Sequence, residues 1–196
     1  MTSSIVLIDS GLGGYTIYNA LHKALPHVSF TFIADQKRAP IGNKSIDELK
    51  VIGFDMVNAL VKKDISKIII ACNTLSANVL EYLEKTFPEV TFYSVIDCTI
   101  ASLKPKHKKI IILATKSTID SHAYQIAITK QLPVAWVDEV AAPHLVDLIE
   151  GLAEDVDIDE MLEDLLSSRN KVNAIVMGCT HYPIIAKNIQ KFCTGE

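Results

Sequence analysis

The sequence is short of cysteine, of net positive charge and of long apolar runs, and each shortage removes a class of protein. Four cysteines in 196 residues, at positions 72, 98, 179 and 193, have neither the density nor the spacing of a disulfide scaffold, so free thiols are expected. A net charge of -4 offers no electrostatic case for nucleic acid as the main partner. No apolar run approaches the roughly 20 residues that a membrane span needs, and Met1-Thr2-Ser3-Ser4 lacks the basic region of a signal peptide. A cytoplasmic protein with no membrane partner is expected. There is also no dense Cys/His cluster, which argues against a metal centre built from Cys179, His181 and a remote ligand. A hydrophobic content of 49% with 21% charged residues is that of an ordinary globular chain, long enough for one large or two small domains.

What the chain does contain is two stretches built alike. Residues 174–177 form a short apolar run that stops at Gly178, after which Cys179, Thr180 and His181 follow in succession. Pro183 then suits the first turn of a helix packed through Ile184, Ile185 and Ile189. In the first half, residues 68–71 are equally apolar and end in Cys72-Asn73-Thr74, before a helix carrying Leu75, Val79 and Leu83. The carboxyl ends of buried parallel strands are where open α/β sheets bind ligands. Two strands therefore each deliver a cysteine and a nearby threonine to such a place.

The remainder alternates strand and helix. Strand 5–8 meets Asp9-Ser10-Gly11-Leu12-Gly13-Gly14, and a helix from about Tyr15 carries Ile17, Leu21 and Leu25 up to Pro26. Gly11-Leu12-Gly13 begins a dinucleotide fingerprint, but its third glycine position is Thr16, and Asp9 would set a carboxylate beside a pyrophosphate. A tight strand-to-helix turn without a ligand is the plainer reading. Strand 29–33 leads to a polar loop, 34–44, and Ser45 with Glu48 then makes a capping-box pattern for a helix presenting Ile46, Leu49, Met56 and Leu60. Strands at 91–95, 110–113 and 134–137, and helices from Ile119 to about Lys130, from Pro143 through Ile149 and over 161–167, complete the pattern. The basic run 104–109 reads as a solvated turn, and the acidic stretch 154–160 as a connection. The alternation predicts an α/β protein with mainly parallel sheets, and a boundary near 96–98 divides it into two similar halves, 1–97 and 98–196.

Two thiols at facing strand ends can remove a proton from one side of a carbon and return one to the other, which inverts a stereocentre without a cofactor. An amino acid's α-proton is a very weak acid, so donors such as Ser10, Asn73, Thr74 and Thr180 are needed for the developing charge. Asp9 and His181 stand where they can relay protons for the neighbouring thiols.

These residues carry a resemblance. Segments 9–14, 34–42, 71–74, 114–118 with Tyr124, and 178–183 resemble those of the glutamate racemase family, in the family's order and over essentially the whole chain. The resemblance implies that residues 1–97 and 98–196 are two domains with the active site in the cleft between them, and that Cys72 and Cys179 exchange protons at the α-carbon of glutamate, with no cofactor and no metal. It also implies that Asp9, His181 and Glu150 assist, and that Asp9, Ser10, Pro40, Ile41, Gly42, Asn73, Thr74, Thr118, Thr180 and His181 bind substrate. The product would be D-glutamate for the bacterial cell wall. Three positions depart from the family's usual residues: Ile41 replaces a Tyr, Ala142 a Cys and Ser117 a Gly. Family members also continue for about 60 residues more, returning to complete the first domain, whose apolar surface is otherwise costly to expose at about 25 cal/mol per Å². A marginal monomer, a homodimer that covers the gap and a shortened form with reduced function are the outcomes this leaves.

Overall fold

The computed structural model describes residues 5–152, 157–169 and 172–195, so the N-terminal Met1 to Ser4 and part of the acidic stretch 154–160 lie outside the described residues. The apolar runs become two all-parallel sheets. The first holds β1 (Ile5–Asp9), β2 (Phe30–Ala34), β3 (Lys67–Ile70) and β4 (Thr91–Ser94) in the order β2-β1-β3-β4. The second holds β5 (Lys109–Ala114), β6 (Trp136–Ala141) and β7 (Ala174–Gly178) in the order β6-β5-β7. Register places Val6 beside Ile68 and Ile8 beside Ile70 in one sheet, and Ile112 beside Val176 in the other. Strands whose side chains are buried on both faces must be apolar throughout, as residues 5–8 of β1 and 110–114 of β5 are, whereas β2 alternates between half-buried and exposed positions.

The helices are α1 (Tyr15–Ala24), α2 (Ile46–Val61), α3 (Asn73–Thr86), α4 (Val95–Ser102), α5 (Lys116–Asp120), α6 (Ala123–Gln131), α7 (Leu145–Ile149), α8 (Ile158–Leu166) and α9 (Ala186–Ile189). One core lies under α2 and α3, where Leu49, Ile52, Val57, Leu75, Val79 and Leu83 pack on Ile68 and Ile70. The second sheet is covered on both faces. Leu145, Leu162 and Ile185 pack on one side, and Ile96, Ile100, Tyr124 and Ile128 on the other. No residue of α1 is fully buried, so the stripe Ile17, Leu21 and Leu25 is only partly covered. Ser45 and Glu48 close the expected capping box on α2. No described helix is long and apolar enough to cross a membrane.

Several elements differ from their expected form, each for a local reason. Val95 ends no strand: the Ser94 hydroxyl accepts from Ile96 N–H and starts α4, which links the two sheets. The helix expected over 119–130 is broken, because His122 takes a left-handed conformation at φ 54° between α5 and α6. The strand expected at 134–137 runs instead over Trp136–Ala141, leaving Val134 exposed. Ile46 and Ile184 are exposed rather than packed. The segment after Pro183 is a chain of short turns, 3₁₀ over Tyr182–Ile185, then α9, then 3₁₀ over Gln190–Phe192.

Candidate active site

Because all strands within a sheet are parallel, their carboxyl ends lie along one edge, and those edges of the two sheets share a cavity of about 60 Å³. Cys72 follows β3 in extended backbone, φ −65° and ψ 118°, and is the N-cap of α3. Its sulfur lies 3.4 Å from the Ser10 hydroxyl. Burial and the charge of Asp9 push the thiol up to about 12. The N-terminus of α3 acts in the opposite direction, since the helix dipole favours negative charge there.

Cys179 follows β7 of the second sheet and lines the same cavity. Its sulfur is 3.7 Å from His181 Nδ1, and His181 Nε2 lies 2.7 Å from Glu150 Oε1. Burial holds this thiol well above its ordinary range, against the backbone N–H of His181 and with Asp9, Cys72 and Glu150 adding to the rise. Both thiols are thus protonated at rest.

Asp9, the last residue of β1, is fully buried. One carboxyl oxygen accepts from Gly11 N–H at 2.9 Å, and the other has no hydrogen-bond partner among the described residues. Burial pushes the carboxyl up to about 6. The glycines that follow allow close approach and do not cradle a phosphate. A Cβ on Gly13 would stand 2.4 Å from His181 Nδ1, and one on Gly14 would stand 2.5 Å from Asp9 Cβ. Thr16 ties this turn to the second half by donating to the Thr180 carbonyl at 2.9 Å.

The arrangement is one cavity lined by a thiol from each sheet, with a buried carboxyl near one thiol and a His–Glu pair beside the other. Over residues 14–194 the sequence matches the Asp/Glu/hydantoin racemases. The chain belongs to that family. It is 34% identical to the glutamate racemase of Lactococcus lactis subsp. lactis over 191 residues, covering 95% of this chain and 70% of the relative. It is 35% identical to that of Aquifex aeolicus over 195 residues, covering 97% and 76%. Its fold is similar to that of the glutamate racemase of Francisella tularensis solved with D-glutamate, with a TM-score of 0.89 at 28% identity, covering 100% of this chain and 75% of that one. The relatives are longer, as the resemblance implied.

In this racemase-family chain the cavity wall brings together Ser10, Pro40, Ile41, Gly42, Cys72, Asn73, Thr74, Glu150, Cys179, Thr180 and His181. Asp9 sits behind Ser10 and Gly11, its carboxyl buried. Ile41 faces the cavity and is 2% exposed, because it also packs into the core beneath α2. Thr118 stands apart from the wall. It lies behind Thr115, 2.9 Å between hydroxyls, and Thr115 in turn meets the Thr74 hydroxyl at 3.0 Å. Thr115 is therefore the wall residue on this side. Pro143, Val146 and Asp147 also line the cavity and were not anticipated. With Glu150 they recur at helical spacing, a signal present in the sequence but without a marker for which face of α7 turns inward.

Proposed function

We propose that the protein is a glutamate racemase that interconverts L- and D-glutamate by proton transfer between Cys72 and Cys179 without a cofactor. The observation that carries this reading is the pair of buried thiols, one from the end of each sheet, that line one cavity. The family membership and the glutamate racemases among the similar proteins support it. One cysteine, as thiolate, takes the α-proton and becomes a thiol, leaving a carbanion. The other thiol gives its proton to the opposite face and becomes the thiolate that starts the reverse turn.

The raised thiols explain how the ground state is kept inert. Burial disfavours the Cys72 thiolate and the neighbouring Asp9 carboxylate disfavours it further, so the thiol keeps its proton. A substrate ammonium brought between the thiols and carboxyls favours the thiolate. Asp9 then serves Cys72, and His181, held by Glu150, serves Cys179. Asn73, Thr74, Thr180 and Ser10 donate to the substrate carboxylates, with Pro40, Ile41 and Gly42 shaping the wall. Residues 1–97 and 98–196 act as two domains that meet at this cleft. The product supplies peptidoglycan synthesis in the cytoplasm.

The test is circular dichroism of L-glutamate and, separately, of D-glutamate with the purified protein and no added cofactor. Both signals decay to zero if the reading holds. Cys72→Ala and Cys179→Ala should each lose at least about a thousandfold in rate, within the range typical for general acid–base groups. A folded single mutant that racemises at the parent rate would remove the two-thiol mechanism.

A further inference from the structure

Among the described residues the cavity wall carries no lysine or arginine, so an anionic group inside it is met there by neutral donors and by His181. Asn73 is one of those donors, next to Cys72 and 4% exposed. An amide side chain has an acceptor end and a donor end, and which end faces a ligand decides whether it attracts or repels a carboxylate. Tyr124 bears on that choice. Its hydroxyl, on α6 in the second half of the chain, donates to Asn73 Oδ1 at 2.6 Å.

Tyr124 is itself held firmly. It is 1% exposed and packs among Ile110, Ile112, Ile128 and Val176, and a Cβ on Gly178 would come within 3.3 Å of its ring. Burial pushes the phenol upward, so it keeps its proton and acts as a donor. With the phenol as donor in this contact, its partner is the amide oxygen, and the amide's two N–H groups are left for the other direction.

We infer that Tyr124 is a positioning residue, which fixes the carbonyl end of Asn73 and so turns its N–H donors toward a substrate carboxylate in the cleft. The inference rests on the reading of this cavity as an amino-acid racemase site. Without the hydroxyl, Asn73 is free to rotate by half a turn and present its oxygen to an anion. The bond also crosses between the two halves of the chain, so the donor is set correctly only when the halves are together.

The experiment is a double-mutant cycle on the full chain with Tyr124→Phe and Asn73→Ala, reading kcat and KM for both glutamate enantiomers and calorimetric binding of D-glutamate. Tyr124→Phe keeps the ring and removes the hydroxyl. Its kcat/KM should fall about tenfold, mainly through KM, as expected for a hydrogen bond made in both ground and transition states. In the Asn73→Ala background the same change should cost less than about twofold, because the only route of its effect has gone. A tenfold loss in both backgrounds, or an unchanged KM in Tyr124→Phe, overturns the proposal.

If Tyr124→Phe does not fold, Asn73→Asp carries the test. It keeps an oxygen for Tyr124 but makes the cleft-facing end an acceptor, so D-glutamate should bind more weakly than to Asn73→Ala. Binding at the parent level overturns the proposal. The binding arm separates the two ideas. A parent that binds D-glutamate without racemising it, with binding weakened by Tyr124→Phe, sinks the racemase reading and keeps this one. A parent that racemises while Tyr124→Phe leaves KM and binding unchanged sinks this one alone. Neither binding nor turnover in the parent overturns both.

Discussion

Asp9 is a residue whose ionisation works against the fold. Its carboxyl rises from an ordinary 3.8 to about 6 because it is buried. Below pH 4 the folded and unfolded chains both hold the proton, and the stability that goes with the neutral form is fully present. It is lost as pH rises through 6, by up to about 3 kcal/mol for a shift of this size. Asp9→Asn keeps an oxygen for Gly11 N–H and cannot ionise. It should therefore be more stable than the parent by about 1–3 kcal/mol at pH 8, with the gap closing at pH 4. Urea unfolding at the two pH values checks this, and an equal gap at both would show that the carboxyl is not paying for its burial. Asp9 was legible in the sequence as the polar residue ending an apolar strand, and so were Cys72 and Cys179. That the glycines after Asp9 make room for His181 was not, because the partner lies 168 residues away along the chain.

At the scale of the element, what could be read locally was read. The capping box of α2 is a four-residue signal, and both of its hydrogen bonds form. Ser45→Ala should lower stability by about 1 kcal/mol, seen as a drop in denaturation midpoint with an unchanged slope. The elements that misled were those decided by packing. Val95 read as the last residue of a strand, yet the Ser94 cap and the burial of Ile96 and Ile100 make it the first residue of helix α4. α5 and α6 looked like one helix, since the left-handed turn at His122 has no glycine to announce it. Gly13→Ala tests the opposite case, a residue whose meaning is wholly tertiary. Its new methyl would meet the His181 ring, which must shift away from Cys179 or Glu150. Stability should fall by about 1–3 kcal/mol, as for other overpacked sites, and racemisation should fall with it; a variant with parent stability and activity would show that the ring has room to yield.

For the molecule as a whole, the two parallel sheets followed from apolar runs alternating with amphipathic ones, a pattern that survives errors of a few residues at each boundary. The way the sheets face each other did not follow, because several of the bonds that join them, such as Ser117 N–H of α5 to the Gly42 carbonyl and the Asn78 side-chain amide of α3 to the Ser117 carbonyl, end on backbone carbonyls, which carry no residue signature. Protection is uneven across this architecture. α3 buries six side chains fully and α1 buries none. Amide hydrogens of α1 should exchange at least about tenfold faster than those of α3, since local opening follows the apolar contacts that must be broken; equal protection would require a cover for α1 beyond the packing described. The same contrast between inside and outside divides the cysteines. Cys72 and Cys179 are buried and protonated, whereas Cys98 is exposed on α4, the helix that joins the sheets. With the half-buried Cys193 replaced by serine, a maleimide dye added at neutral pH therefore reaches Cys98 well before the cleft, and its fluorescence would report movement at that joint while the two cleft thiols remain intact.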